Sequence, residues 1–159
     1  MNLELIYLQP TPENGKEISD FLANNFWEEH TLSKNKSPEI YWPNASAWIN
    51  NFLFNGAIFN VIDSDKNDMI VGSVAVRSEE YAWSKEQYIG DGWFYVLPEY
   101  RNLKDQKPPS HLLLDAVIDY ANKLELPLIM GIFNLEGVER AGKLFKKKGF
   151  HMIGSTYMK

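Results

Sequence analysis

The chain has 159 residues, 45% of them hydrophobic, 14% aromatic and 23% charged, a balance that describes one folded domain and excludes a disordered or collagen-like chain. A net charge of −5 disfavours a general nucleic-acid coat, which is normally basic, and instead suits amine or basic-peptide partners. The absence of Cys rules out disulfide frameworks, thiolate zinc sites and Cys nucleophiles.

His30, His111 and His151 are too scattered to suggest a His metal cluster, and no metal is expected. No apolar run approaches the roughly 18 residues of a membrane span, and the opening MNLELIYLQP does not read as a signal peptide. The expectation is a single cytoplasmic domain over residues 1–159, a monomer or homodimer, with no membrane or nucleic-acid partner.

In chain order, Leu3 to Leu8 reads as a strand stopped by Gln9-Pro10. Thr11 is a candidate N-cap and Pro12 suits a first helical position; Ile18, Phe21, Leu22 and Phe26 then carry helical spacing to about His30. Thr31 to Asn44 reads as a polar loop, and Ala45 to Phe54 as a short helix ended by Asn55-Gly56. Ala57 to Ile62 and Met69 to Arg77 form a hairpin around Asp63 to Asp68. Glu79 to Glu86 is a connector, and Gln87 to Leu97 a long strand stopped by Pro98. Gly90 and Gly92 in that strand predict a bulge or a close backbone approach.

Glu99 to Ser110 is polar and precedes a helix from His111 to Leu124, with Leu113, Val117, Ala121 and Leu124 on its apolar stripe. Pro127 to Phe133 reads as a buried strand. Glu136 to Lys148 is helical with Gly149 as its stop, and His151 to Met158 is a final strand. The strand–helix–strand crossover implies a parallel pair, whereas the hairpin before it is antiparallel. The expected fold is therefore α+β: a mixed, twisted sheet of about six or seven strands with helices on both faces.

Three segments carry a family likeness. VLPEYR (Val96–Arg101) followed by LLLDAVIDYA (Leu112–Ala121) resembles the strand–loop–helix core of GNAT-type N-acetyltransferases. AGKLFKKKGF (Ala141–Phe150) resembles that family's later helix, and GFHMIGSTYMK its last strand. The resemblance implies a CoA-dependent transfer of an acetyl group to a primary amine, by direct attack in a ternary complex. The amine belongs to a small molecule, a peptide N-terminus or a lysine. Acetyl-CoA would lie between the strands Gln87–Leu97 and Pro127–Phe133, its pantetheine arm on the backbone of Phe94, Tyr95 and Val96. The resemblance also implies cofactor contacts from Asn134 and Phe145.

The chain departs from the family in two places. The Gly-rich pyrophosphate loop is missing, with Pro108 and Pro109 near its position, and proline has no N–H to give a phosphate. Arg101, Lys104 and Lys107, with His111 and the free helix-start amides of Ser110, His111 and Leu112, are the candidate replacements. The family's proton-donating Tyr is replaced by Phe145, which leaves Tyr95 and Tyr157 as candidate acids. Asp91, beside the expected wedge, is the candidate general base.

Glu79 and Glu80 read as solvated loop charges, and Lys146 to Lys148 resemble a phosphate or nucleic-acid patch but read better as complements to a helix C-terminus. Trp48 and Phe52 are assigned to core packing, whereas Tyr41 and Trp42 are candidate acceptor-pocket residues able to meet an amine by cation–π attraction. The alternative to an enzyme is a GNAT-fold protein without catalysis that acts as a binding or structural module.

Overall fold

The computed structural model describes residues 1–32, 39–132 and 138–154. Among them, β1 (Leu3–Tyr7), β2 (Gly56–Asp63), β3 (Met69–Glu80) and β4 (Gln87–Val96) form an antiparallel meander in sequence order. β5 (Leu128–Ile129) adds to β4 in parallel, completing a mixed five-stranded sheet rather than one of six or seven. The expected final strand accounts for the difference. His151 to Gly154 is exposed and carries no ladder, since β5 offers an edge only two residues long; the remainder lies outside the described residues. The connector expected at Glu79 begins instead after Glu80, because Glu79 and Glu80 pair with Tyr88 and Gln87.

The helices start and stop for local reasons. α1 (Pro12–Phe21) has Thr11 as its cap, with Oγ1 accepting the Asn14 N–H at 3.2 Å, and Pro12 in the first position. The helix expected to run on to His30 is broken by a π-helical turn, Leu22–Phe26, before α2 (Trp27–Leu32). Within that turn Asn25 Nδ2 donates to the Phe21 carbonyl at 2.9 Å, a side chain inserted into the helical ladder. One extra residue rotates everything that follows by about 100°. α3 (Trp42–Asn55) begins three residues before the expected Ala45. α4 (Pro109–Lys123) and α5 (Val138–Lys147) complete the set among the described residues.

Helices cover both faces of the sheet, as expected. Neighbouring side chains of β4 show how. Trp93 packs with Trp48 and Phe52 of α3 at 5.2 and 5.6 Å and gives its indole N–H to Ser73 Oγ at 2.9 Å. Phe94 points the other way and meets Phe145 of α5 edge-on at 6.0 Å. α4 lays Leu113, Leu114 and Val117 into the core on this second face, where Tyr120 meets Phe59 of β2 at 6.1 Å. Trp48 and Phe52 are thus core residues, Phe52 being buried and Trp48 packed against it.

β4 also carries the expected bulge. Asp91 pairs with Val76 and Trp93 with Ala75, so Gly92 is the extra residue. A Cβ on Gly92 would stand 2.7 Å from the Phe52 ring, so a larger residue there would force that buried ring to shift. No helix among the described residues is long and apolar enough to cross a membrane.

Candidate functional site

The parallel strands part almost as soon as they meet. β4 and β5 share two residue pairs, Ile89↔Leu128 and Gly90↔Ile129. The strand expected over Pro127 to Phe133 is cut to two residues because the next available donor turns to a side chain: Gly131 N–H gives its hydrogen bond to Asp91 Oδ1 at 3.0 Å. Beyond that point β4 runs on from Gly92 to Val96 without β5 beside it, and a cleft of about 750 Å³ opens.

Asp91, Phe94, Tyr95, Val96, Arg101, Ser110, His111 and Phe145 all line this cleft. Lys104 and Lys107 do not; both are exposed, and Lys107 is held by Asp115 at 2.6 Å. Tyr41 and Trp42 stand outside the lining at the start of α3, with Trp42 packed edge-on against Trp27 at 5.9 Å. Asn134 and Tyr157 lie outside the described residues.

Asp91 sits at the apex of the cleft. Burial pushes its carboxyl up to about 6, against the opposing effect of the Gly131 hydrogen bond. It is a carboxylate that changes charge just below neutrality, and its amide partner belongs to the opposite wall.

Further along β4, Tyr95 gives its O–H to Glu29 Oε2 at 2.7 Å. Arg101 grips the same carboxylate with both terminal nitrogens, at 3.0 and 2.6 Å, while its Nε donates to the Val96 carbonyl at 2.7 Å. Its guanidinium also lies 5.2 Å from the centre of the Tyr95 ring. Burial, then the bond to Glu29 and its charge, push the Tyr95 phenol well above its ordinary value. A phenol held that firmly is a poor proton donor. Glu29 reaches this position from α2, downstream of the π-helical turn, and Tyr100 anchors the other side: it is fully buried and gives its O–H to Asp63 at 2.9 Å.

The mouth of the cleft differs from the sequence expectation. α4 starts at Pro109 rather than His111, with Pro108 as its cap residue. The N–H groups of His111 and Leu112 both donate to the Pro108 carbonyl, at 3.0 and 3.4 Å, so neither is the free amide expected. Pro109 has no N–H, and Ser110 is left as the one first-turn amide with no acceptor among the described residues. His111 adds no charge at neutral pH, since burial and the Lys148 charge lower its pKa.

Positive charge comes instead from α5. Arg140, Lys143 and Lys147 line the cleft, spaced i, i+3, i+7 on one helical stripe. Arg140 reaches across to donate to the Arg101 carbonyl and to the Asn102 side chain. Lys148 belongs to another network: with Lys107 it converges on Asp115, and the two ammoniums hold that carboxyl below its usual value despite burial. Of the lysines expected to complement the helix end, one therefore faces the cleft and another clamps α4.

Several solved structures with this architecture are acetyltransferases. An aminoglycoside acetyltransferase from an uncultured soil metagenomic sample superposes with a TM-score of 0.66 at 14% identity, over 99% of this chain and 97% of that one. A ribosomal-protein-alanine N-acetyltransferase from Brucella melitensis gives 0.67 at 14% identity over the same shares. A GNAT family acetyltransferase from Staphylococcus aureus gives 0.61 at 10% identity over 100% and 98%. The chain has the GNAT fold. No protein-family model matches the sequence, nor does any curated protein sequence.

Within this GNAT fold, Glu29, Arg140 and Lys143 are cleft residues that the sequence reading did not single out, and Lys147, assigned there to the helix end, lines the cleft as well. The stripe on α5 was detectable from its spacing alone. Glu29 was not, because its partners Tyr95 and Arg101 lie 66 and 72 residues away.

Proposed function

We propose that the cleft binds acetyl-CoA and passes its acetyl group to a primary amine. The observation that carries this reading is the parting of β4 and β5 after Gly90 and Ile129, which leaves one side of β4 from Gly92 to Val96 without a strand partner along the cleft. A pantetheine arm has two amides, and an unpaired strand edge supplies the donors and acceptors that such amides need. The acetyltransferase neighbours favour the same reading. The residues fit the pantetheine arm. They do not fit a pyrophosphate held by backbone amides, because His111 and Leu112 are already engaged and Pro108 and Pro109 cannot donate.

Asp91 is the general base of this proposal. Above a pH of about 6 it is ionised and can take a proton from the attacking amine, directly or through one water. The amine nitrogen bonds to the thioester carbonyl carbon as the C–S bond breaks, and solvent protonates the departing thiolate. Phe145 cannot donate a proton, and Tyr95 is bound to Glu29. The chain has no Cys for an acyl-enzyme, so transfer is direct. The acceptor is a small-molecule amine, a peptide N-terminus or a lysine. Tyr41 and Trp42 would serve it from the rim rather than from the cleft wall.

A second reading, a GNAT-fold module that binds without catalysis, is favoured by Phe145 in the cleft wall and by the two prolines at its mouth. Calorimetric titration with acetyl-CoA, paired with a thiol-release assay over a panel of amines, separates the two. Binding with thiol release supports the enzyme. Binding without release on any amine supports the module.

A further inference from the structure

We infer that α5 carries the anion-binding site of this cleft: Arg140, Lys143 and Lys147 receive the phosphate groups of the acyl donor in place of a loop of backbone amides. The inference rests on the acyl-transfer reading for the identity of the donor, but the site itself follows from where the charges stand. Around the mouth of the cleft most alternative donors are spent, with the Ser110 amide the one first-turn donor left over and Lys104 outside the lining. Arg101 is held bidentate by Glu29. Lys107 and Lys148 share Asp115. His111 is kept neutral by burial and the Lys148 charge. The amides of His111 and Leu112 go to Pro108.

α5 remains. It lines the cleft with three cations on one stripe, in a chain whose overall charge is −5. Arg140 is fixed to the loop itself through the Arg101 carbonyl and Asn102, which sets its charge beside the proline-bearing segment where amides are lacking. Lys143 is exposed, and its i,i+4 partner Glu139 is exposed too, a pairing weak enough for a phosphate to displace. Lys147 has no carboxylate partner among the described residues. Guanidinium and ammonium groups suit phosphate oxygens, and a site built from them on an exposed helix is screened by salt in a way that buried amides are not.

Adenosine 3′,5′-bisphosphate, the phosphorylated end of CoA without its thioester arm, is the probe. Its binding to the full chain, read by calorimetry at low and at physiological salt, should weaken about tenfold or more in the triple variant Arg140→Ala, Lys143→Ala, Lys147→Ala. The variant Lys143→Arg, Lys147→Arg should retain it. Circular dichroism of the triple variant establishes that the fold persists; if it does not, the single substitution Lys147→Ala, which removes no contact within the fold, carries the test with a smaller loss. Wild-type affinity in a folded triple variant, or binding insensitive to salt, overturns the inference. Failure of the acyl-transfer reading looks different: charge-dependent bisphosphate binding persists, while neither acetyl-CoA nor phosphate-free S-acetylpantetheine releases thiol with any amine.

Discussion

The carboxylate of Asp91 accepts the backbone N–H of Gly131 at 3.0 Å, one residue beyond the last β4 rung of the parallel ladder. A side chain thus replaces strand pairing at the point where two strands separate. The bulge at Gly92 lies next to it in the chain, so the sheet bends and opens at one place. The same carboxylate that ties the two walls at their apex is the candidate base.

That double role predicts opposite effects on stability and activity. The Asp91 carboxyl rises from an ordinary 3.8 to about 6 in the fold, so the folded protein holds the proton more tightly than the unfolded chain does. Stability therefore falls as pH rises from about 4 to about 6, by roughly 3 kcal/mol as an upper bound, and stays lower above that. Asp91→Asn keeps an oxygen for the Gly131 N–H and removes the buried charge. Urea denaturation should show the variant more stable than wild type at pH 8 and matched near pH 4. Turnover should fall about 10²–10⁴-fold, and the wild-type rise of rate with pH near 6 should vanish. Unchanged turnover would remove Asp91 from the mechanism.

The Glu29–Arg101 pair predicts a thermodynamic coupling. Both side chains remain 28–29% exposed, so removing one partner costs less than the 3–5 kcal/mol typical of a fully buried pair. Glu29→Gln and Arg101→Met, made singly and together, should show a coupling of about 1–3 kcal/mol in chemical denaturation. Additive losses would mean that the pair does not hold α2 to the end of β4. Tyr95→Phe addresses the proton. If the phenol only braces Glu29, turnover stays within a few-fold of wild type, against a loss of about 10²-fold or more for a general acid.

How far the sequence carried this picture depends on the range of each interaction. The Thr11 cap, the bulge at Gly92 and the apolar stripe of α4 through Leu113, Val117 and Ala121 are local signals that stand where the residues placed them, whereas Leu124, expected on that stripe, caps the helix and is exposed. The π-helical turn was illegible because Phe21, Leu22 and Phe26 keep an apolar spacing compatible with an unbroken helix; Asn25 bonding back to Phe21 is a choice made in the folded state. The shortness of β5 was illegible for a similar reason. Its apolar run is long enough for a strand, but pairing ends where Asp91, 40 residues earlier, takes the Gly131 amide. In the cleft, the β4 residues were legible through the family likeness. Lys107 was misjudged because a lysine in a loop gives no hint that Asp115 on the next helix will hold it.

Phe145 tests what a missing hydroxyl is worth. The ring is buried, packs against Phe94 and Phe150 at 6.0 and 5.2 Å, and still reaches the cleft wall. Phe145→Tyr conserves the ring and should change stability by less than about 1.5 kcal/mol. Its O–H offers the departing thiolate a proton that the native wall cannot supply. Steady-state assays should show higher turnover with little change in the Michaelis constant for acetyl-CoA. A variant no faster than wild type would show that solvent already protonates the thiolate without limiting the rate.

The last prediction returns a single amide to the mouth of the cleft. Pro109 holds the first position of α4, where an ordinary residue presents an N–H outside the helical ladder. Pro109→Ala would give the helix that donor beside the free Ser110 amide, at the positive end of a helix dipole. The cost is a more flexible unfolded chain, about 0.4–1 kcal/mol of stability. The gain appears in how binding responds to salt. Wild type, leaning on Arg140, Lys143 and Lys147, should lose acetyl-CoA affinity steeply as ionic strength rises. The variant should bind several-fold more tightly at physiological salt and with a shallower dependence, because an amide hydrogen bond to phosphate is less sensitive to ions than an exposed ammonium is. Titrations at two salt concentrations decide the matter. Equal slopes in wild type and variant would mean that the phosphates never reach the start of α4, and that α5 alone holds them.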